Sequence, residues 1–378
     1  MKGAMANNIL DTGIKTVKNV GSFNFGSRSL DGLSKYVNAR RDRAVGTGCE
    51  NNVVYIIDEF FAGRTEILAR LGTERGDRIE FVSTLEEPTT ESIDQRVAAL
   101  IDAGFSKPAA VVGMGGGITL DTAKGVSNLL TNGGKAEQYQ GWDLVKRPAV
   151  YKIGIPTVSG TGAEATRTCV MTNTQSGLKL GMNSDYTVFD HLILDPDLTA
   201  TVPRDQYFYT GMDAYIHCIE SLAGSYRNAV GDAYARETIG LCRQVFNAED
   251  MMDPKSRENL MVASYLGGCA IATSYVGMVH PFSAGLSVVL GLHHCVANCI
   301  AMRAMGEYYP AAYSEFWSMV ERQKIEIPSG VCQGLTEAQY RALYDATVIH
   351  QKPLTNALGS NHLDVLTYDK VVSVFHKM

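Results

Sequence analysis

The sequence predicts an α/β domain over residues 1–197 followed by an all-helical domain over residues 198–378. Three observations carry that prediction. Short apolar runs alternate with helix-spaced segments in the first half, glycine-rich turns follow those runs, and beyond residue 197 the texture changes to long helical stretches. With 378 residues, 45% of them hydrophobic and 20% charged, the chain is long and apolar enough to bury two cores.

After an edge segment, Asn52-Val-Val-Tyr-Ile-Ile57 is an apolar run ending in Asp58, and Ala109-Ala-Val-Val-Gly-Met114 repeats the style ahead of a glycine cluster. Both read as parallel strands. Between them, residues 65–75 and 90–104 have helical spacing, which gives the alternation expected of crossover units. Gly113-Met-Gly-Gly-Gly-Ile-Thr-Leu-Asp-Thr-Ala-Lys124 then follows a strand and opens a helix. There Gly115, Gly116 and Gly117 let the backbone approach a pyrophosphate without Cβ interference, and free amides at the helix start can bind its charge. A purely architectural strand-to-helix turn would use the same glycines.

A second candidate wall is Gly154-Ile-Pro-Thr-Val-Ser-Gly-Thr-Gly-Ala-Glu164, after another apolar strand. Thr157, Ser159 and Thr161 can bind phosphate or ribose oxygens, or simply close turns through bonds to the backbone. Asp58, at a strand end, can accept from the adenosine ribose hydroxyls and would repel a 2′-phosphate, which favours NAD over NADP. An acid there can equally cap a turn. Lys179, in Gly177-Leu-Lys-Leu180, offers a positive charge to the cofactor or to solvent.

In the second half, residues 207–222, 228–246, 254–272, 295–305 and 335–349 have helical spacing, with alanines and glycines that permit close packing. In Gly211-Met-Asp-Ala-Tyr-Ile-His217, a spacing of four places the Asp213 carboxylate and the His217 imidazole on one helix face. His280, in Gly277-Met-Val-His-Pro281, and His294, in Gly291-Leu-His-His-Cys-Val-Ala-Asn298, form a second pair. One carboxylate and three imidazoles suit a divalent ion, Fe2+ or Zn2+. The alternative is a surface pair with core histidines satisfied by protein partners. The cofactor and metal are expected to share the cleft between the halves.

Formal charge is -6 with lysines and arginines scattered, which argues against a nucleic-acid footprint. No run of 18 apolar residues appears, so membrane insertion is not expected. The eight cysteines form no Cys-x2-Cys motif and the opening Met1-Lys-Gly-Ala-Met-Ala-Asn-Asn8 lacks the apolar stretch of a secretory signal, so a cytoplasmic location is expected.

Taken in order, Gly115-Gly-Gly-Ile-Thr-Leu-Asp-Thr-Ala-Lys124, Pro156-Thr-Val-Ser-Gly-Thr-Gly-Ala-Glu164, Asp195-Pro-Asp-Leu-Thr199, Gly211-Met-Asp-Ala-Tyr-Ile-His-Cys-Ile-Glu220 and the two later histidines resemble the motifs of the iron-containing, group III alcohol dehydrogenases. That superfamily includes dehydroquinate synthase and glycerol dehydrogenase. The resemblance implies a dehydroquinate synthase-like fold, with an α/β N-terminal dinucleotide-binding domain and a helical C-terminal metal-binding domain. It also implies a homodimer. It puts the metal on Asp213, His217, His280 and His294, and the nicotinamide dinucleotide on Asp58, Gly115 to Gly117, Thr157, Thr161 and Lys179.

Two departures stand out. Ile118 replaces the family's serine, and Ala284 replaces its common non-ligand histidine, which leaves a proton relay to water, ribose or His293, the last also readable as a structural residue. Within the family the chain looks most like the bacterial type that oxidises the C8 hydroxyl of 3-deoxy-D-manno-octulosonate in lipopolysaccharide biosynthesis. A transaminase then acts next, which makes it a candidate partner. Arg167 or Arg204 would hold the sugar-acid carboxylate. The implied reaction is hydride transfer from a primary alcohol to NAD(P), NAD being favoured, with an aldehyde as product. Alternatives are a short-chain alcohol or diol dehydrogenase or aldehyde reductase, a lyase of the same superfamily, and a catalytically inactive metal- and nucleotide-binding protein.

Overall fold

The computed structural model describes residues 17–46 and 48–378. The opening octapeptide, expected not to form a leader, lies outside the described residues. The chain divides into two compact units, one made of Lys18–Ser159 and Ala163–Thr201, the other including Gly160–Gly162 and Val202–Met378.

The first unit is built on strands β1 (Ser22–Phe25), β2 (Val53–Asp58), β3 (Arg78–Val82), β4 (Ala110–Gly115), β5 (Gly141–Trp142), β6 (Lys152–Pro156), β7 (Thr168–Asn173), β8 (Leu178–Asn183) and β9 (His191–Leu194). Its helices are α1 (Leu33–Ala44), α2 (Thr65–Ala69), α3 (Thr90–Asp102) and α4 (Gly117–Asn132). Six strands form a parallel sheet in the order β1-β9-β6-β4-β2-β3. Val53, Val54, Tyr55, Ile56 and Ile57 are all buried because helices and turns cover both faces, and that is why β2 reads as an unbroken apolar run. Each such side chain contributes about 1.5–3 kcal/mol of transfer free energy.

The order of connections fixes where a ligand can lie. From β2 the chain moves to β3 on one side, whereas from β4 it moves through α4 to β6 on the other. The carboxyl ends of β2 and β4 therefore flank a switch point, the position at which open parallel sheets leave a crevice.

Three local features depart from the expected elements. The helix expected over residues 65–75 stops at Ala69, because Gly72 turns the chain with φ +63°. The helix expected over residues 295–305 ends at Met302, with a separate 3-10 turn at Met305–Glu307. Residues 168–183 form a β7–β8 antiparallel hairpin, extended by β5, that the apolar pattern did not signal. Strand β7 alternates partly exposed and buried residues over only six positions, and β8, also six residues long, breaks that alternation, which leaves a weak signature.

Asp195 gives the Asp195-Pro-Asp-Leu-Thr199 block a structural role. Its fully buried carboxylate accepts from Arg28 N (3.1 Å), Leu30 N (3.2 Å), Asp197 N (3.1 Å) and Arg70 Nη2 (3.0 Å). The motif is a structural clamp.

The second unit is helical: α5 (Arg204–Ala223), α6 (Ala229–Phe246), α7 (Pro254–Thr273), α8 (Val279–Leu290), α9 (His294–Met302), α10 (Pro310–Gln323), α11 (Glu337–Val348), α12 (Gln351–Leu358), α13 (His362–Val365) and α14 (Tyr368–Phe375). Helix α5 is buried on nearly all sides from Tyr207 to Ser221, as a central helix must be. The Asn228 side chain caps α6 by accepting from Gly231 N, and the Asp253 side chain caps α7 by accepting from Ser256 N. Gly291, at φ +69°, ends α8 and starts the turn into α9. Among the described residues no helix is long and apolar enough to cross a membrane.

Candidate metal centre and nucleotide-binding turn

Helix α5 carries Asp213, His217 and Glu220 on one face, since positions four and three apart stack along a helix. Helix α8 brings His280 from its first turn, and α9 brings His294 from its first position. Asp213, His280 and His294 place one ligand atom each within 4.8 Å of one another. His217 joins them: its Nε2 lies 3.5 Å from Asp213 Oδ1, and its ring stacks on that of His280 at 4.7 Å. The other imidazoles approach the same carboxylate, His280 Nε2 at 3.3 Å from Oδ1 and His294 Nε2 at 3.6 Å from Oδ2.

A fully buried carboxylate is costly unless it is paired. Burial alone would raise the Asp213 pKa, yet His217, His294 and His280 together hold the carboxyl far below its usual range. Burial pushes His217 down to about 3, against the pull of Asp213. His280 goes the other way, up to about 10, because Glu220 and Asp213 overcome its desolvation. The two buried carboxylates, Asp213 and Glu220, thus draw positive charge into the cluster, and a divalent cation bound by the Asp213 carboxylate and neutral imidazole nitrogens would supply that charge in place of the extra proton on His280. Two buried atoms, His217 Nδ1 and Asn298 Oδ1, have no hydrogen-bond partner among the described residues, so the polar cluster is not self-sufficient.

Several residues of the cluster carried no assignment from the sequence. Glu220 receives Val279 N on Oε1 (2.5 Å) and contacts His280 Nδ1 through Oε2. Asn298 donates from Nδ2 to Asp213 Oδ1 (2.7 Å), with His294 Nε2 at 3.2 Å. Tyr309 accepts from Met278 N at 3.0 Å, two residues before His280. Cys295 Sγ lies 3.7 Å from Asp213 Oδ2. Spacing could have found two of them, since Glu220 follows His217 by three and Asn298 follows His294 by four. Tyr309 left no such signal.

In the α/β unit, Asp58 and Gly115 end neighbouring strands, and Thr157 N donates to Gly115 O at 3.1 Å. A Cβ on Gly115 would lie 2.6 Å from Thr119 Cβ and Oγ1 and 3.0 Å from Asp58 Cβ, so this glycine is required by its protein neighbours. Burial raises the Asp58 carboxyl pKa, and its Oδ1 accepts from Phe60 N at 3.0 Å. Helix α4 starts at Gly117 with no side-chain cap, and the buried Thr119 Oγ1 and Ser159 Oγ lack partners among the described residues. An uncapped helix start beside orphan hydroxyls fits the phosphates of a dinucleotide.

The remaining predicted residues fall outside these two clusters. Lys179 lies on β8, buried, with its ammonium 3.2 Å from Glu87 Oε1. Thr161 belongs to Gly160–Gly162, which groups with the helical unit, where Gly160 N donates to Ser264 Oγ at 2.8 Å. His293 is exposed at the start of α9, and Ala284 is buried one turn beyond His280. Arg167 is paired with Asp143 and, at 3.2 Å, with Asp185. Arg204 donates to Gln323 O and Oε1, each at 2.7 Å. Both arginines already have protein partners.

An α/β unit with a parallel-sheet switch point and a helical unit with a carboxylate–imidazole cluster define a class of two-part, metal-site proteins. The family models for iron-containing alcohol dehydrogenase and for the Fe-containing alcohol dehydrogenase family C-terminal region match residues 24–196 and 207–342. The chain belongs to the iron-containing alcohol dehydrogenase family.

It is 35% identical over 191 residues to the sulfoacetaldehyde reductase of Bilophila wadsworthia, covering 50% of this chain and 49% of that protein. It is 33% identical over 198 residues to the NAD-dependent methanol dehydrogenase of Bacillus methanolicus, covering 51% of each. The match thus spans about half the length of these curated relatives. Among solved structures, the fold is similar to that of a 1,3-propanediol oxidoreductase, with TM-score 0.81 and 20% identity over 95% of this chain and 98% of that one.

Proposed function

We propose that this protein is a metal- and NAD(P)-dependent oxidoreductase that interconverts small primary alcohols or diols and their aldehydes. The observation that carries the reading is the convergence of Asp213, His280 and His294 in a unit whose sequence matches the family's C-terminal region. Relatives that act, by name, on methanol and sulfoacetaldehyde support small substrates.

Asp213, His217, His280 and His294 would hold the ion, Fe2+ or Zn2+. When bound, the ion polarises the substrate oxygen and lowers the hydroxyl pKa, which eases departure of hydride from carbon. Asp213 supplies the negative charge and Asn298 fixes its rotamer. In the 1–197 portion, Gly115, Gly116 and Gly117 with the α4 N-terminus bind the pyrophosphate, Asp58 binds the adenosine ribose, and Thr157 and Thr161 add hydroxyls. Asp58 favours NAD over NADP. Lys179, the remaining candidate contact, is ion-paired with Glu87. His293, exposed at the α9 start, is the protein's candidate proton relay in place of the histidine that Ala284 replaces.

Oxidation of the C8 hydroxyl of 3-deoxy-D-manno-octulosonate is the narrower reading, resting on motif resemblance alone. The engagement of Arg167 with Asp143 and Asp185 and of Arg204 with Gln323 weighs against it, since each guanidinium already has a protein partner. Homodimer formation and the dehydroquinate synthase-like grouping belong to the same proposal. A reducing compartment, the cytoplasm, fits eight free cysteines of which seven are buried.

Anaerobic reconstitution with Fe(II) or Zn(II), followed by absorbance at 340 nm, tests the reading. Methanol, 1,3-propanediol and 3-deoxy-D-manno-octulosonate are offered with NAD or NADP, and short aldehydes with NADH or NADPH. Turnover of small alcohols or aldehydes is expected. Turnover confined to the sugar acid would replace this substrate class with the narrower one, and ion and nucleotide binding without any turnover would leave a catalytically inactive binding protein.

A further inference from the structure

We infer that Glu220 is a positioning residue that locks His280 in the tautomer able to bind a metal ion, and so sets the affinity of the site. This inference rests on the metal-binding reading above.

The Glu220 side chain is fully buried, and both of its oxygens are committed to one short turn. Oε1 accepts from Val279 N at 2.5 Å, and Oε2 meets His280 Nδ1. A carboxylate can only accept, so Nδ1 must carry a proton, and Nε2, the nitrogen facing Asp213 at 3.3 Å, is left to offer a lone pair to an ion. The same turn is held from two other sides. Tyr309 accepts from Met278 N at 3.0 Å, and the buried Asn356 donates to Tyr275 O at 2.9 Å and Val276 O at 3.1 Å. Backbone placement thus has several supports, whereas the ring's orientation and proton position depend on Glu220.

Glutamine tests this almost without change of shape. Its single amide oxygen cannot satisfy both Val279 N–H and His280 Nδ1–H. Bonded to Val279, it turns an NH2 group toward Nδ1 and favours the tautomer whose proton blocks Nε2. Bonded to Nδ1–H, it sets two N–H groups against each other at Val279. Either arrangement opposes metal binding.

The measurement is the Co(II) dissociation constant of the full-length chain, by chelator competition, for wild type, Glu220→Gln, His280→Ala and the double variant, with thermal melting of each apoprotein as the check on folding. We expect E220Q to lose about 10–100-fold in affinity and to shift the Co(II) ligand-field bands, and the same change to have little further effect once His280 is alanine. Equal affinities for wild type and E220Q overturn the positioning role alone. An E220Q effect that persists undiminished in the H280A background overturns it too, since Glu220 would then act by another route. A wild-type protein that takes up no Co(II) brings down both this inference and the metal-binding reading. The wild-type protein supplies an independent check if E220Q does not fold. In 15N-histidine-labelled, Zn(II)-loaded protein, His280, assigned by its loss in H280A, should carry its proton on Nδ1; a proton on Nε2 overturns the inference.

Discussion

Asp213 is where the chemistry of the helical unit concentrates. It is fully buried, touches the imidazoles of His217, His280 and His294, and is the single carboxylate among the cluster's four proposed ligands. Replacing it with asparagine keeps the shape but removes the charge. Asp213→Asn is expected to lower metal affinity by more than the roughly 10–100-fold associated with outer partners, which metal titration would measure. Gly115 is the counterpart in the α/β unit. Gly115→Ala is expected to cost about 1–3 kcal/mol in urea unfolding, because the new Cβ would lie 2.6 Å from Thr119. Unchanged stability would mean that the turn relaxes more freely than its packing implies.

At the scale of elements, α4 is tied to the β7 hairpin by a buried lysine. Lys124 Nζ donates to Thr168 O (2.7 Å) and Thr166 O (3.1 Å) and lies 3.5 Å from Asp121 Oδ1, while Asp121 Oδ2 accepts from Val170 N at 2.9 Å. Lys124→Met would leave two carbonyls without their donor and a buried carboxyl without its cation. A loss of about 3–5 kcal/mol is expected by chemical denaturation, and adding Asp121→Asn should recover part of it. The sequence showed Asp121 and Lys124 as motif letters, but nothing in it showed their partners, since the hairpin itself was hidden by its short, half-alternating strands. By contrast β2, β4 and α5 were legible because burial on all sides writes a continuous apolar run or a long helical pattern. The proposed ligands Asp213 and His217 were legible from one turn of helix. Glu220 and Asn298 obey the same spacing rule, yet a glutamate and an asparagine on helices are too common to mark a site. Tyr309 and Asn356 reach the His280 turn only through tertiary packing.

At the scale of the whole molecule, stability on the acid side depends on buried groups away from the cluster. His191, on β9, bonds Ser22 Oγ through Nδ1 at 2.7 Å and stacks on Tyr36, and burial pushes its pKa down to about 4. The unfolded chain binds this proton near pH 6.5, so between about pH 6.5 and 4 the unfolded state holds more protons and stability falls as pH falls. Asp121 works in the opposite sense, since burial raises it to about 6 and the folded state keeps its proton longer. Comparing wild type with His191→Asn isolates the first effect: the stability gap between them should shrink by roughly 2 kcal/mol from pH 7 to pH 4.5 in chemical denaturation. A constant gap would mean that His191 titrates normally in the fold. The family models match parts of both units, and the proposed function requires an ion bound in the helical unit for turnover. The most direct measurement is the rate of NAD reduction at 340 nm with a small primary alcohol, for protein stripped by chelator and then titrated anaerobically with Fe(II) or Zn(II), alongside Asp213→Asn. Activity that is absent in the stripped protein, returns with about one ion per chain and does not return in D213N is the predicted result. Full activity in the stripped protein, or equal restoration in D213N, would contradict it.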